Sequence, residues 1–491
     1  MSESGSAVTS PPAEDAKGGG SAVSTLPVVG LTALVVGSMI GGGIFGLPSQ
    51  MAKVAAPGAL LIGWIITGAG MLVLAMCYQR LAVKRPDIDG GVYGYARAGF
   101  GDYVGYASAW GYWLSAWIGN VGYLVLLMSS LGVVFPMLGF GSGNTLPAIA
   151  CASVVLWLLH FLVLQGVQQA AFVNTIVTVA KVVPLVVFIG IAIIAFDAGL
   201  FTQDVWGRAL TIDGAPLGSI LDQTKGMMLV TVWVFIGVEG ASVFSERARS
   251  RRDVGRATLL GFALVLVLLL LVNFLSYGLV EQDQLAAMED PSLAHVLAAA
   301  VGDWGATFIS AGLAIALIGA VLAWVLMCAE ILRLPSRDGV LPAWLGKENR
   351  NGTPVGALIL TNVCCQALLI WTHFNEQTYT ALIILASALI LLPYLLSAIY
   401  QLLLAVRGGT LSDKVVGGLA TVYTVWLLYA GGIQYLLISA IVYLAGTALF
   451  VQARRTAGGP IFKGWEYLLL AIFTIGAIAG VIGLSFGVIT V

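Results

Sequence analysis

Apolar stretches long enough to cross a lipid bilayer follow one another along almost the whole chain. A transmembrane helix needs about 20 predominantly apolar residues. Thirteen such stretches occupy residues 28–50, 58–82, 103–136, 146–164, 172–197, 219–244, 256–280, 303–333, 355–373, 378–406, 415–431, 433–452 and 465–489. Hydrophobic residues make up 59% of the chain and charged residues 10%, which excludes a soluble globular protein of this length. The pattern predicts an all-α polytopic membrane protein with 13 transmembrane helices, or 12 if the last stretch lies on the membrane surface.

The basic residues predict how the chain is oriented. Residues 1–25 are rich in Ser, Gly, Pro and Ala, which predicts a disordered tail. Cytoplasmic loops retain most Lys and Arg residues. If the tail is cytoplasmic, only Lys53, Arg208 and Lys225 fall on the outer side, and the outer loop 281–303 carries five acids and no Lys or Arg. We therefore expect a multi-pass protein of the cell inner (cytoplasmic) membrane with a cytoplasmic amino terminus.

The first apolar run contains three consecutive glycines, Gly41, Gly42 and Gly43. Each glycine in a helix costs roughly 1 kcal/mol relative to Ala. A broken helix is therefore predicted, and broken helices mark the substrate sites of secondary transporters. The alternative is that these glycines only allow close helix packing. Gly46 completes a G-x-G-x-x-G pattern, but no strand precedes it, so a dinucleotide site is excluded.

A second break is predicted in the sixth run, where Gly237 and Gly240 flank Glu239 in the middle of a span. Interrupted runs five positions apart are typical of two inverted five-helix repeats. The predicted domains are the first repeat at 26–200, the second repeat at 215–408 and accessory helices at 412–491.

Two charged residues lie mid-membrane, Lys181 and Glu239. A charge at this depth costs at least about 2.5 kcal/mol and is a functional candidate by default. Lys181 could carry a proton or replace a coupling cation, or it could pair permanently with carbonyls at a helix break. Glu239 could be a proton switch or a hydrogen-bonding strut. The residues themselves leave both pairs of alternatives open.

Aromatic and small polar residues share one face of the third run. They recur at helical spacing and are Tyr112, Ala116, Asn120 and Tyr123. Such a face either binds a ligand or joins helices. Trp233 and Trp324 are ordinary packing aromatics unless they line a cavity, where an indole face attracts an organic cation.

Several function classes are excluded by the sequence. No P-loop, metal-ligand cluster or catalytic motif is present, so we expect no enzyme activity, cofactor or metal. The net charge of −1 argues against a nucleic-acid partner.

The chain resembles the amino acid–polyamine–organocation superfamily in five segments, at residues 36–48, 89–96, 112–120, 233–239 and 337–354. Within it, the chain is similar to the basic amino acid/polyamine antiporters, closest to the arginine/ornithine antiporters. The resemblance implies a LeuT-like fold with inverted repeats and broken helices 1 and 6.

The resemblance also implies roles for individual residues. Amides at Gly42 and Gly43 would bind the substrate carboxylate, and carbonyls near Met39, Trp233 and Ile236 its ammonium group. The cationic side chain would lie along Trp324 and reach Asn120. The remaining implied contacts are Ser115, Ala116 and Ser387 beside the substrate side chain, Tyr112 and Trp233 as gates, Glu239 as a proton sensor, and Lys181 in the position of a sodium ion.

We therefore expect an exchanger of cationic amino acids that takes up arginine and releases ornithine, with lysine and agmatine as further candidate substrates. A proton-coupled permease for arginine, lysine or another amino acid is the alternative. A sensor, or the catalytic subunit of a larger complex, is a more distant one. We expect membrane lipid around the protein. The sequence leaves open whether two copies form a homodimer.

Overall fold

The computed structural model describes residues 28, 32, 36–37, 39–166, 171–212, 214–238, 251–374, 378–458 and 460–489. The helices are α1 (Gly43–Ala52), α2 (Pro57–Lys84), α3 (Val92–Phe100), α4 (Asp102–Val134), α5 (Leu146–Leu164), α6 (Ala171–Ala195), α7 (Ala198–Thr202), α8 (Ile220–Trp233), α9 (Arg251–Ser276), α10 (Gln282–Ala287), α11 (Ser292–Val301), α12 (Asp303–Arg337), α13 (Val355–Trp371), α14 (Thr378–Gly408), α15 (Leu411–Ala430), α16 (Ile433–Ala457) and α17 (Glu466–Ser485). Short 3-10 turns lie at Pro136–Leu138, Ala343–Gly346 and Thr372–Phe374, and strands β1 (Thr211–Ile212) and β2 (Ala215–Pro216) pair antiparallel.

Ten of the described helices are long and apolar enough to cross a membrane. They are α2, α4, α5, α6, α9, α12, α13, α14, α16 and α17, and each coincides with a predicted apolar run. The other three runs contain α1, which begins after the first break, α8, which ends at the second, and α15, which has a polar first turn. The chain is therefore an all-α polytopic membrane protein, as predicted.

Helix α4 lies at the centre of the bundle and packs most extensively against α12 and α14. Small residues make this close packing possible. A Cβ atom at Gly111 would lie 1.7 Å from the Tyr443 hydroxyl oxygen and 2.9 Å from the Leu389 carbonyl oxygen. Small residues let helix backbones approach closely where lipid supplies no hydrophobic drive between helices. The central position of α4 directs its predicted polar face toward the other helices.

The thirteenth run forms α17, which packs antiparallel to α16. Near the end of α17, a Cβ atom at Gly480 would lie 2.9 Å from the Leu437 carbonyl oxygen in the first half of α16. At the start of α17, the Glu466 carboxylate accepts a hydrogen bond of 2.8 Å from the Tyr103 N–H at the start of α4. Both ends of the helix are thus fixed to neighbouring elements.

Candidate functional site

The first break is present where the glycines predict it. The chain leaves the helical conformation at Ile40 and resumes it at Gly43. Gly42 precedes α1 without a side-chain cap, and its carbonyl accepts the Phe45 N–H at 3.1 Å. The first N–H groups of a helix have no acceptor inside that helix, and this end carries a partial positive charge. The break therefore presents an anion-favouring helix terminus inside the bundle.

Helix α8 ends at Trp233, in the middle of the sixth run. Tight turns follow, in which the Ile236 N–H donates to the Val232 carbonyl at 3.1 Å and Gly237 takes a φ of +107°. This φ lies in the region that favours glycine. The helix thus ends at the predicted second break, whereas the continuation at residues 239–250 lies outside the described residues.

A small cavity of about 10 Å³, roughly the room for one water molecule, lies between the two breaks. Its lining comes from the first break and α1, from α4, from the end of α8 and from α9, and comprises Met39, Ile40, Gly41, Gly43, Ile44, Tyr123, Trp233, Val234, Ile236, Val265 and Leu269. These lining side chains are uncharged, and only Tyr123 and Trp233 among them are polar. Apolar walls with a few placed polar groups are typical of sites for small molecules.

Trp233 forms one wall of this cavity and packs directly on glycines. A Cβ atom at Gly43 would lie 2.7 Å from the Trp233 Cδ1 atom, and one at Gly119 would lie 2.7 Å from its Cη2 atom. The Tyr123 ring tilts against the indole with centroids 5.4 Å apart. The indole N–H is buried near the Tyr379 hydroxyl and makes no hydrogen bond of regular geometry among the described residues. A buried donor of this kind could be satisfied by a bound molecule.

The Tyr123 hydroxyl lies against the backbone of the first break. A Cβ atom at Gly41 would lie 2.3 Å from the hydroxyl oxygen, and one at Gly42 would lie 3.3 Å from the Tyr123 Cδ1 atom. Tyr123 was expected only as a member of the polar face of the third run. Its position eleven residues after Tyr112 was the sequence signal, but nothing in the sequence indicated a contact with the glycines.

Comparison with known proteins identifies the family of this fold. A profile described as amino acid permease matches residues 26–453. The chain belongs to the amino acid permease family. It is 54% identical over 474 residues to an arginine/ornithine antiporter of Pseudomonas aeruginosa, covering 94% of this chain and 97% of that protein. It is also 43% identical over 486 residues to an L-lysine transport protein of Corynebacterium glutamicum, covering 94% and 96%.

A third relative of this permease is an arginine/agmatine antiporter of Chlamydia caviae, 40% identical over 444 residues that cover 89% of this chain and 91% of that protein. These similarities agree with the resemblance found in the sequence. They identify a transporter rather than an enzyme.

The cavity of the permease brings together four of the predicted binding residues, Met39, Gly43, Trp233 and Ile236. Gly42 is adjacent but faces α4 and α12, since a Cβ atom there would lie 2.9 Å from both Leu126 Cδ2 and Leu317 Cδ2. The structure therefore assembles the predicted backbone part of the site around the first break.

The remaining predicted contacts of the permease lie on α4, α12 and α14. Asn120 is 1% exposed, and neither its amide nitrogen nor its oxygen has a hydrogen-bond partner among the described residues. Ser115 and Ala116 are buried on the same helix, whereas Tyr112 and Trp324 are half-buried. The Ser387 hydroxyl donates to the Ile383 carbonyl of its own helix at 2.7 Å. None of these residues lines the described cavity, and their contacts with substrate stay predictions.

Lys181 connects α6 to the first transmembrane run of the permease. Its ammonium nitrogen is buried and donates to the Gly37 carbonyl at 3.2 Å. This contact places a positive charge beside the helical residues that precede the first break. Both the structural and the cation-replacing interpretation predict such a contact. Glu239 lies outside the described residues.

Proposed function

We propose that this permease exchanges cationic amino acids across the cytoplasmic membrane, taking up arginine and releasing ornithine. The main support is the cavity between the two breaks, where a helix N-terminus faces an indole and a phenol. A helix N-terminus favours a carboxylate, and an aromatic face attracts an organic cation. The 54% identity to an arginine/ornithine antiporter supports this pair of substrates.

Asn120 is the residue we assign to the far end of the substrate. Its buried amide lacks partners and follows Gly119, which packs on Trp233. An unpaired buried amide is costly, so a ligand that supplies its hydrogen bonds is favoured. A guanidinium or ammonium group is a donor for the Asn120 oxygen. An uncharged acceptor also releases the cation more readily than a carboxylate would.

Lys181 supports transport without sodium. A fixed ammonium that bonds the Gly37 carbonyl supplies positive charge beside the first break. We propose the cytoplasmic side for the amino terminus and the outer side for the acidic loop 281–303, from the distribution of Lys and Arg. On this orientation the cavity is alternately exposed to either side as the first repeat moves against the rest.

A proton-coupled permease is the second candidate, because the L-lysine transport protein is also a close relative. Purified protein in liposomes loaded with ornithine, arginine, lysine, agmatine or nothing separates the two. Exchange predicts that labelled arginine enters only amino-acid-loaded vesicles and that a proton gradient drives no uptake into empty ones. Uptake into empty vesicles driven by protons would overturn exchange and would favour a coupling role for Lys181 or Glu239.

Asn120→Ala tests the assigned binding residue. We expect arginine affinity to fall about ten- to hundredfold, because one hydrogen bond to a charged group contributes about 1.5 to 3 kcal/mol. Asn273→Ala is the matched control, since Asn273 is equally buried but its amide donates to the Leu269 carbonyl of its own helix. Equal arginine affinity in Asn120→Ala and the unmodified protein, measured by equilibrium binding, would remove Asn120 from the site.

A further inference from the structure

A buried carboxyl group lies against the half-helix α1, away from the cavity. Asp290 belongs to the connection between α10 and α11, outside the membrane spans. Its Oδ2 accepts a hydrogen bond of 3.3 Å from Gln50 Nε2. The other oxygens of the pair, Asp290 Oδ1 and Gln50 Oε1, are both inaccessible to solvent and without a partner in the described part of the chain. Two acceptors are therefore left without a donor.

The Asp290–Gln50 pair lies directly against the backbone of α1 at Gly46. A Cβ atom at Gly46 would lie 2.5 Å from Asp290 Oδ1, 2.7 Å from Gln50 Nε2 and 3.0 Å from Tyr379 Cε1. The Ser129 hydroxyl of α4 donates to the Asp290 carbonyl. Only a glycine at position 46 permits this approach, because the Asp290 carboxyl and the Gln50 amide both lie in contact with the α1 backbone there.

The same side of α1 is fastened by neighbouring contacts. The Ser49 N–H donates to the Ser292 hydroxyl at 3.2 Å. Gln282 Nε2 donates to the carbonyls of Ala52 and Ala55, each at 3.0 Å. Together with the Asp290 pair, these bonds fix α1 to α10, to α11 and to the segment between them. They must break if α1 is to move away from that connection.

Charged and titratable groups around Asp290 are few. Lys53 at the end of α1 and Glu289 interact with it electrostatically, His295 on α11 interacts with Glu289, and the buried Tyr379 of α14 lies beside Gly46. Burial is the dominant effect and raises the pKa of Asp290 from 3.8 to about 7, against the opposing effects of the Gln50 hydrogen bond, the Lys53 charge and the Ser292 backbone N–H. The carboxyl therefore binds a proton in the neutral range.

We propose that Asp290 is a proton-binding site that holds the outer gate of the exchanger closed. A proton from the outside solution binds the carboxylate, which becomes neutral, and the new O–H supplies the donor that Gln50 Oε1 lacks. Carboxylic acid and amide then pair through two hydrogen bonds, Nε2–H to Oδ2 and O–H to Oε1. Loss of the proton leaves a buried carboxylate facing an unpaired amide oxygen, and the half-helix is released.

The direction of the pH effect follows from the two pKa values. In the closed state the pKa is about 7, and in the open, hydrated state it returns toward the ordinary value of 3.8. Protonation of Asp290 thus stabilises the closed state fully at pH values below the open-state pKa of 3.8. This stabilisation is lost as the pH rises to about 7. Where one proton is fully coupled to closure, the ratio of closed to open protein changes by up to about tenfold per pH unit.

This inference rests on the proposed exchange and on the proposed orientation. The test uses right-side-out membrane vesicles with the full chain, loaded with arginine at internal pH 7, and measures entry of labelled arginine at external pH 5.0 to 8.0. Affinity for an external ligand falls with the fraction of outward-open protein. We expect the external KM for arginine to be about tenfold or more higher at pH 5.0 than at pH 7.5.

Asp290→Asn keeps a neutral amide at this position and is expected to abolish the dependence of KM on pH. Glu289→Gln, the same chemical change at the adjacent acid, and His295→Gln are expected to keep it. Gln50→Leu removes both hydrogen bonds between Gln50 and Asp290 and is expected to lower the external KM at acid pH.

A constant KM in the unmodified protein, or the original pH dependence in the Asp290→Asn variant, would overturn the proposed proton site. Absence of arginine exchange at every pH would instead refute the proposed function.

Discussion

At the scale of single residues, the three glycines of the first break are explained by space. Gly41 faces the Tyr123 hydroxyl, Gly42 faces leucines of α4 and α12, and Gly43 faces the Trp233 indole. None of the three has a positive φ. Both interpretations of the sequence, a helix break and close packing, therefore hold. The backbone is unwound at the point where side chains from other helices pack directly against it.

Gly41→Ala is predicted to reduce arginine exchange by more than tenfold, because its Cβ atom would lie 2.3 Å from the Tyr123 hydroxyl oxygen. Adding Tyr123→Phe removes that oxygen, and the next contact is then 3.3 Å, so the double variant should recover part of the activity relative to Tyr123→Phe alone. Gly190→Ala, on α6 with no neighbour within 4 Å, is the matched control. Initial rates in proteoliposomes are the measurement. A double variant as inactive as Gly41→Ala would contradict this explanation.

At the scale of elements, the charged end of α15 joins it to α2. Asp413 closes a capping box with Thr410 at the start of α15. The same carboxylate pairs with Arg80 at 3.0 Å and with Lys84 at 2.6 Å, both near the end of α2. The hydrogen bond from Lys84 is the largest effect that holds the pKa of Asp413 well below its usual range. A single carboxylate thus satisfies a helix terminus and fixes the position of a second helix.

Asp413→Asn is predicted to destabilise the protein by about 1 to 3 kcal/mol, because the cap weakens and two cations lose their partner. Since the pKa is lowered, the stabilisation is present above the ordinary value of 3.8 and is lost as pH falls below it. Thermal unfolding in detergent between pH 3 and pH 7 measures both effects. Asp87→Asn, which removes an exposed partner of Arg85, should leave the melting temperature nearly unchanged. Similar shifts in the two variants would contradict the assigned role.

At the scale of the whole molecule, the antiparallel pairing of α16 and α17 bears on the number of spans. The apolar length of α17 and its contact with α16 along its second half are those of a spanning helix. A surface helix would lie across the ends of its neighbours instead. If all thirteen runs span the membrane and the amino terminus is cytoplasmic as proposed, the carboxyl terminus is predicted to lie outside.

Reporter fusions test this arrangement. Alkaline phosphatase fused after Val491 is predicted to be active and green fluorescent protein at the same point to be dark, because the first matures only outside the cytoplasm and the second only inside. Fusions after Ala457, at the end of α16, should give the opposite result. Two fusion points with the same response would show that α17 does not cross the membrane.

The sequence by itself determined the helical elements and the positions of the breaks. The apolar run predicted at 103–136 corresponds to the helix Asp102–Val134, and the run predicted at 355–373 corresponds to the helix Val355–Trp371. Such agreement is expected because a bilayer requires about 20 apolar residues and internally bonded backbone for each span. The cavity beside the first break followed from the glycines for the same reason, since unwound chain within a membrane is tolerated only where protein or a cavity satisfies its backbone groups.

Only the tertiary structure decided which side chains meet. The Tyr123 hydroxyl lies against Gly41, and the Gln50 amide donates to Asp290, which lies 240 positions further along the chain. Apolar periodicity fixes neither the rotation of a helix about its axis nor the path of an outer loop. Helix rotation and loop path depend on how side chains from all helices pack together in the interior. The contacts around the two breaks and around Asp290 are therefore evident only in the folded chain.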